Sequence, residues 1–262
     1  MTVNDFAEMK RSGRRISMIT CYDYWSAQII DQSTVDCILV GDSVAMIIHG
    51  YENTIPATVE MMALHVSAVS RGAPNKFIVA DMPFLSVRKG LKHAMDSVET
   101  LMRAGAQAVK IEGVSGHEEI IHHIVESGVP VMGHLGLTPQ SVHQFGGYPV
   151  QGRKEDEVTA LKAEAKQLQE LGCFSIVLEC VKSDTARTLT RSLQIPTIGI
   201  GAGPDTDGQI LVLHDMLDLF KNVDPRFVRH YVRGHQLVLD SLNHFDSDVK
   251  EGSFPSAEES YL

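Results

Sequence analysis

Arg103-Ala104-Gly105-Ala106-Gln107-Ala108-Val109-Lys110-Ile111-Glu112-Gly113 carries one complete structural unit in compressed form. A helix-like stretch, Ala94 to Ala104, runs into a glycine, and a short apolar run follows that ends on a carboxylate. Ala108 to Ile111 is too short and too uniformly apolar for a half-exposed strand, so it reads as a strand covered on both faces, as in a parallel sheet. Lys110 and Glu112 are two residues apart and therefore point to the same face, which in a closed barrel can be the inner one. A structural ion pair is the alternative reading of these two residues.

The same pattern repeats in both directions. Candidate strands are Ile16 to Thr20, Cys37 to Val40, Phe77 to Ala80, Ala108 to Ile111, Val129 to Gly133, Phe174 to Leu178, Pro196 to Ile200 and Ile210 to Leu213. Between them lie stretches such as Thr58 to Ser70, Ala94 to Ala104, Glu118 to Glu126 and Glu155 to Leu171, whose apolar residues recur at helical spacing. Gly or Pro punctuates several strand entrances, as in Ser127-Gly128-Val129-Pro130. An open doubly wound sheet shares this alternation, but eight units within 262 residues favour one (β/α)₈ barrel. The expected organisation is a single barrel domain over 1–262, with β-α repeated eight times. From about Asn222 an added helix is expected over Arg226 to Asn243, followed by a polar tail from Asp246 to Leu262 that wraps the surface or a neighbouring subunit.

Bulk properties narrow the function. Hydrophobic residues make up 44% of the chain, yet no apolar run approaches the roughly 20 residues that a membrane helix needs. Met1 to Arg15 is polar and has no apolar core of a signal peptide, so the cytoplasm is the expected location. A net charge of -10 without a basic, aromatic-studded patch excludes nucleic acid as the expected partner. Cys21, Cys37, Cys173 and Cys180 form no C-x-x-C pair and read as buried thiols.

Chemistry gathers where the strands end: Tyr22 and Asp23, Asp42 and Ser43, Asp81, Lys110 and Glu112, His134, and Glu179. A barrel brings these positions to one mouth, the face where such folds carry their active sites. A single strand-end Asp is as readily a turn residue or helix cap, but repetition at successive strands argues for a shared site. Asp42, Asp81 and Glu112 offer the hard oxygen donors that suit Mg²⁺, whereas no His/Cys spacing suggests zinc. His134 precedes Leu135-Gly136-Leu137-Thr138-Pro139 and reads as the end of a strand, where a lone histidine is more often structural than functional.

Three motifs fail on inspection. Gly199-Ile200-Gly201-Ala202-Gly203-Pro204 has a proline in place of the last glycine of a dinucleotide fingerprint and reads as a tight strand-end loop. Gly41-Asp42-Ser43-Val44-Ala45 lacks the final glycine of a nucleophile elbow. His117-Glu118-Glu119-Ile120-Ile121-His122 misses the zinc-protease spacing by one residue and reads as a solvated helix start.

The segments Thr20-Cys21-Tyr22-Asp23-Tyr24, Ile38-Leu39-Val40-Gly41-Asp42-Ser43, Val79-Ala80-Asp81-Met82-Pro83-Phe84, Val109-Lys110-Ile111-Glu112-Gly113 and Gly133-His134-Leu135-Gly136-Leu137-Thr138-Pro139-Gln140-Ser141 occur in fixed order. Phe145-Gly146-Gly147-Tyr148, Val177-Leu178-Glu179-Cys180, Ile195-Pro196-Thr197-Ile198-Gly199-Ile200-Gly201-Ala202-Gly203 and Asp207-Gly208-Gln209 continue the series. In these segments the chain resembles the ketopantoate hydroxymethyltransferase family, from Ile16 to about Leu262. The resemblance implies a homodecamer of (β/α)₈ barrels that uses Mg²⁺ and 5,10-methylenetetrahydrofolate to convert 2-oxoisovalerate to ketopantoate in pantothenate biosynthesis. It implies Asp42, Asp81 and Glu112 at the metal, and Asp42, Ser43, Asp81 and Lys110 at the oxo acid. It also implies Glu179 as the base, with His134 on the substrate side. The isocitrate lyase and phosphoenolpyruvate mutase group also has strand-end acids, but its Lys-Lys-Cys-Gly-His segment is absent here. A noncatalytic metabolite-binding barrel is the alternative of a different class.

Overall fold

The computed structural model describes residues 1–147, 149–220 and 225–261. Tyr148 of the quoted motif, Asn222 and Leu262 lie outside the described residues. The chain divides into two compact units, Met1–Leu211 and Val212–Leu262.

The first unit is a closed barrel of eight parallel strands in sequence order. The strands are β1 (Ile16–Thr20), β2 (Cys37–Val40), β3 (Phe77–Asp81), β4 (Ala108–Glu112), β5 (Val131–Gly136), β6 (Ser175–Glu179), β7 (Thr197–Ile200) and β8 (Gly208–Leu211). All eight expected strands are present, with shifts that have physical causes. Pro130 and Pro196 lack the amide hydrogen that a ladder needs, so β5 and β7 begin just after them. His134 therefore lies inside β5, which runs on to Gly136, and not at its end as the sequence suggested. β8 starts at Gly208 because a side chain there would sit 2.5 Å from the Ile16 carbonyl oxygen, so only glycine permits the pairing of Gly208 with Ile16.

Helices Tyr24–Gln32, Val59–Gly72, Leu91–Arg103, Glu118–Glu126, Glu155–Glu170 and Ser183–Ser192 connect the strands up to β7. Between β7 and β8 the helix of the expected seventh repeat is missing. The chain crosses there by a tight loop containing Gly201 (φ 63) and Gly203 (φ 81), a segment too short for a helix between two turns. Val3–Ser12, which the sequence left without structure, is a helix that buries Phe6 and Met9. Phe6 packs edge-on against Phe77 and Phe174, with ring centroids 5.5 and 5.0 Å away, at the starts of β3 and β6. These rings join Ile16, Cys37, Ala108, Met132 and Ile198 in one apolar cluster that fills the barrel's N-terminal end. Burying one such aromatic side chain contributes on the order of 2 kcal/mol. Chemistry is thereby confined to the opposite end.

In the second unit the long helix spans Gly234–Glu251, displaced toward the C-terminus from the expected Arg226 to Asn243. Gly234 begins it because a Cβ there would lie 2.3 Å from the Leu217 carbonyl oxygen. The helix continues through Asp246, where a polar tail was expected, since Lys250 pairs back to Asp246 at 2.7 Å and termination waits for Gly252 in the left-handed conformation. Its Leu237, Val238, Leu242 and Phe245 are exposed. Among the described residues no helix is long and apolar enough to cross a membrane.

Candidate active site

Strand register assembles the mouth. Asp81 pairs with Lys110 across β3 and β4, and Glu112 pairs with His134 across β4 and β5. Gly136 pairs with Glu179 across β5 and β6. Asp42 follows β2, and its backbone N–H donates to Asp81 Oδ2 at 3.2 Å. Lys110 Nζ lies 2.8 Å from Asp81 Oδ1 and 3.2 Å from His134 Nδ1. His134 stands between two acids, with Nδ1 3.4 Å from Glu112 Oε1 and Nε2 3.1 Å from Glu179 Oε2. Asp42, Asp81, Lys110, Glu112, His134 and Glu179 are thus in one contiguous network. Ser43 is next in sequence to Asp42, but its Oγ meets Tyr22 Oη at 2.8 Å. Asp23 does not join: its carboxylate accepts from the Ser26 backbone N–H and caps the helix Tyr24–Gln32.

Burial is uneven in a way that separates roles. The side chains of Asp81, Lys110, Glu112 and His134 are 5% exposed or less, while Glu179 keeps 19% of its surface. Glu179 is therefore the acid of this network nearest to anything arriving from solvent.

Charge is unbalanced. Burial pushes the Asp42 carboxyl well above the usual carboxylate range, and the negative charges of Asp81 and Glu112 push it further, against the pull of Lys110 and a hydrogen bond from Gln140. Burial lowers the Lys110 ammonium, but Asp81, Glu112 and Asp42 outweigh it and hold the proton on. Burial and Lys110 also work against a proton on His134, yet Glu112 and Glu179 raise it to about 9. Two donors, the Lys110 ammonium and a protonated His134 Nδ1, would then face each other, so the His134 charge is held by its two acids rather than by the lysine.

The oxygen donors fit a hard cation. Asp81 Oδ1 and Glu112 Oε1 are buried, and beyond the Lys110 ammonium at 2.8 Å from the first and the His134 Nδ1 at 3.4 Å from the second, neither has a further donor among the described residues. Among the described residues no group of three or more His, Cys, Asp or Glu is placed so that it could hold a metal ion. Mg²⁺ does not require such a cage, since it takes one or two carboxylates and fills its remaining positions with water and substrate oxygens.

One functional residue escaped the sequence. Gln140, on the single turn Pro139–Ser141 after β5, donates from Nε2 to Asp42 Oδ2 at 2.8 Å and to the Met82 carbonyl at 2.9 Å. Its backbone N–H reaches Glu112 Oε2 at 3.1 Å. Its place directly after the His134 strand was the available signal, but a loop glutamine has no distinguishing pattern of its own. His117 is corrected as well: the helix does start at Glu118, but His117 is buried, not solvated. All four cysteines are buried and free, as expected.

Comparison with known proteins bears on the fold and on the family. Solved structures with the same fold include a phosphonopyruvate hydrolase complexed with oxalate and Mg²⁺ (TM-score 0.64, 12% identity, 99% of this chain and 93% of that one). Another is a 2,3-dimethylmalate lyase of the phosphoenolpyruvate mutase/isocitrate lyase superfamily (TM-score 0.59, 14% identity, 99% and 91%). At such identity the likeness shows the barrel alone. Sequence relatives are far closer. The chain is 55% identical over 259 residues to 3-methyl-2-oxobutanoate hydroxymethyltransferase of Coxiella burnetii (strain RSA 493 / Nine Mile phase I), covering 98% of this chain and 97% of that protein. It is 50% identical over 262 residues to the enzyme of the same name from Legionella pneumophila (strain Paris), covering all of both. The pattern of the family described as ketopantoate hydroxymethyltransferase matches residues 1–257. The chain belongs to the ketopantoate hydroxymethyltransferase family, and it is an enzyme of that transferase class.

Proposed function

We propose that this enzyme transfers the one-carbon unit of 5,10-methylenetetrahydrofolate to 2-oxoisovalerate, yielding ketopantoate for pantothenate synthesis. The observation that carries this reading is the continuous network Asp42–Asp81–Lys110–His134–Glu179 at the closed barrel's mouth. Mg²⁺ is the metal that fits the oxygen donors of Asp42, Asp81 and Glu112, and a bound ion supplies Lewis-acid polarisation of the keto group. A phosphonopyruvate hydrolase of the same fold is complexed with oxalate, a small dicarboxylate, and Mg²⁺, which is compatible with such an ion here.

The chain's own residues supply the remaining steps. Ser43 and Lys110 orient the oxo acid with the two aspartates, and the buried Lys110 ammonium stabilises negative charge developing on the keto oxygen. Glu179, the most open acid of the network, takes the proton from the branched carbon. His134 braces Glu179 against Glu112 and spreads the proton's charge. Water takes the folate's methylene to the formaldehyde level, its two protons going to the two nitrogens as their bonds to that carbon break; the electron pair left on the branched carbon attacks it, and the proton held by Glu179 passes to the alkoxide formed, which keeps water's oxygen. Exposed Leu237, Val238, Leu242 and Phe245 support assembly with further copies, for which the family's homodecamer is the proposed form, and the cytoplasm is the proposed location.

Proton NMR of 2-oxoisovalerate in D₂O with Mg²⁺ tests this. The branched-carbon proton is expected to exchange with enzyme alone, and ketopantoate is expected to appear only with the folate. Glu179→Gln should abolish both signals. Full exchange in that variant would remove Glu179 from its role, and cleavage of isocitrate-like substrates instead would favour the lyase chemistry of the fold's other members.

A further inference from the structure

Two imidazoles outside the acidic mouth face each other with no role in the chemistry above. His49 follows the short helix Val44–Ile47, and His65 lies within the helix Val59–Gly72. Their Nε2 atoms are 3.0 Å apart, with ring centroids at 5.2 Å and planes at 81°. His65 Nδ1 sits against the Tyr22 carbonyl oxygen. Only an N–H can face a carbonyl, so the proton of a neutral His65 is on Nδ1 and its Nε2 lone pair is directed at His49. That anchoring of the far nitrogen by a backbone carbonyl is the arrangement that fixes the tautomer of metal-ligating histidines.

We propose that His49 and His65 form a second metal site, specific for a borderline divalent transition ion such as Zn²⁺. Imidazole nitrogens select such ions, while the carboxylates at the mouth select Mg²⁺, so the two sites differ in chemistry as well as in place. Zinc bonds to imidazole at about 2.0–2.1 Å, so a tetrahedral ion needs its two nitrogens roughly 3.3 Å apart with both lone pairs aimed at one point beside the line that joins them; the pair has to open by a few tenths of an ångström and each ring has to turn away from the other nitrogen. His49 is exposed and His65 half-buried, so water has access to complete the shell. With no third His, Cys, Asp or Glu ligand in the described cluster, the site binds by two protein ligands and water.

The test is zinc binding to the full chain with excess Mg²⁺ present to occupy the carboxylates, read by competition with a chromophoric chelator. A single Zn²⁺ per chain is expected, bound at least about tenfold more weakly by His49→Gln or His65→Gln, as loss of a ligand requires. His244→Gln, on the exposed face of the C-terminal helix, should leave binding unchanged. Because His49 is exposed, its substitution does not threaten folding and is the deciding variant. Crystals soaked in Zn²⁺ should give an anomalous peak between the two rings. Failure of the parent to bind zinc under excess Mg²⁺, equal affinity in parent and His49→Gln, or a peak confined to Asp42, Asp81 and Glu112 would overturn the proposal.

Discussion

Gln140 donates a 2.8 Å hydrogen bond from its side-chain amide to Asp42 Oδ2, joining the turn after β5 to the residue that follows β2. The same residue gives its backbone N–H to Glu112, so one glutamine orients two of the three carboxylates expected at the metal. Gln140→Leu keeps the approximate size and removes the donor. A roughly 10- to 100-fold loss in Mg²⁺ affinity or activity is expected, the usual cost of removing an outer partner of a ligand. Mg²⁺ titration monitored by calorimetry checks this, and unchanged affinity together with unchanged turnover would show that Gln140 orients nothing.

Lys110 is the cation among Asp42, Asp81 and Glu112, and it is almost wholly buried. Lys110→Met should stop proton exchange and, measured by urea unfolding, destabilise the fold by about 3–5 kcal/mol, because the remaining acids lose a buried partner. Stability equal to that of the parent would mean that water already screens the carboxylates.

Gly136 takes φ 93, and a Cβ there would approach the Glu179 carbonyl oxygen to 2.3 Å and Val181 Cγ2 to 2.5 Å. Gly136→Ala combines a disfavoured backbone angle with overpacking beside the proposed base. A loss of about 2 kcal/mol or more is expected. The accompanying fall in activity should appear in kcat rather than in metal affinity, since Glu179 moves and Asp42 does not.

Burial, with the nearby Arg88 charge, lowers His117 to about 4 from its ordinary 6.5. Its folded-state value lies below the unfolded one, so the unfolded chain binds the extra proton first as pH falls. The stability it contributes is complete above about pH 6.5 and is lost down to about pH 4, by at most about 1.4 kcal/mol per pH unit. His134, raised to about 9, acts oppositely and loses its contribution as pH rises from 6.5 to 9. Comparing the acid side of the stability profile for the parent and His117→Gln isolates the first effect. Parallel profiles below pH 6.5 would refute it.

The sequence by itself determined the eight strands, their parallel order and the polar residues at their ends. These are local properties: short apolar runs between helical periods have few other solutions, and Asp81, Lys110 and Glu112 can be read directly off β3 and β4. Tertiary structure alone decided which of those residues meet. Asp23 and Asp42 look alike in sequence, each a carboxylate just past a strand, yet Asp23 caps a helix while Asp42 reaches Asp81 and Gln140. The N-terminal helix offered too little periodicity to be seen, because only Phe6 and Met9 are buried, and their partners Phe77 and Phe174 come from distant strands. The pairing of His49 with His65, the role of Gln140 and the burial of His117 belong to the same class. Each depends on the distance between side chains brought together by barrel closure, and no periodicity along a chain encodes that distance.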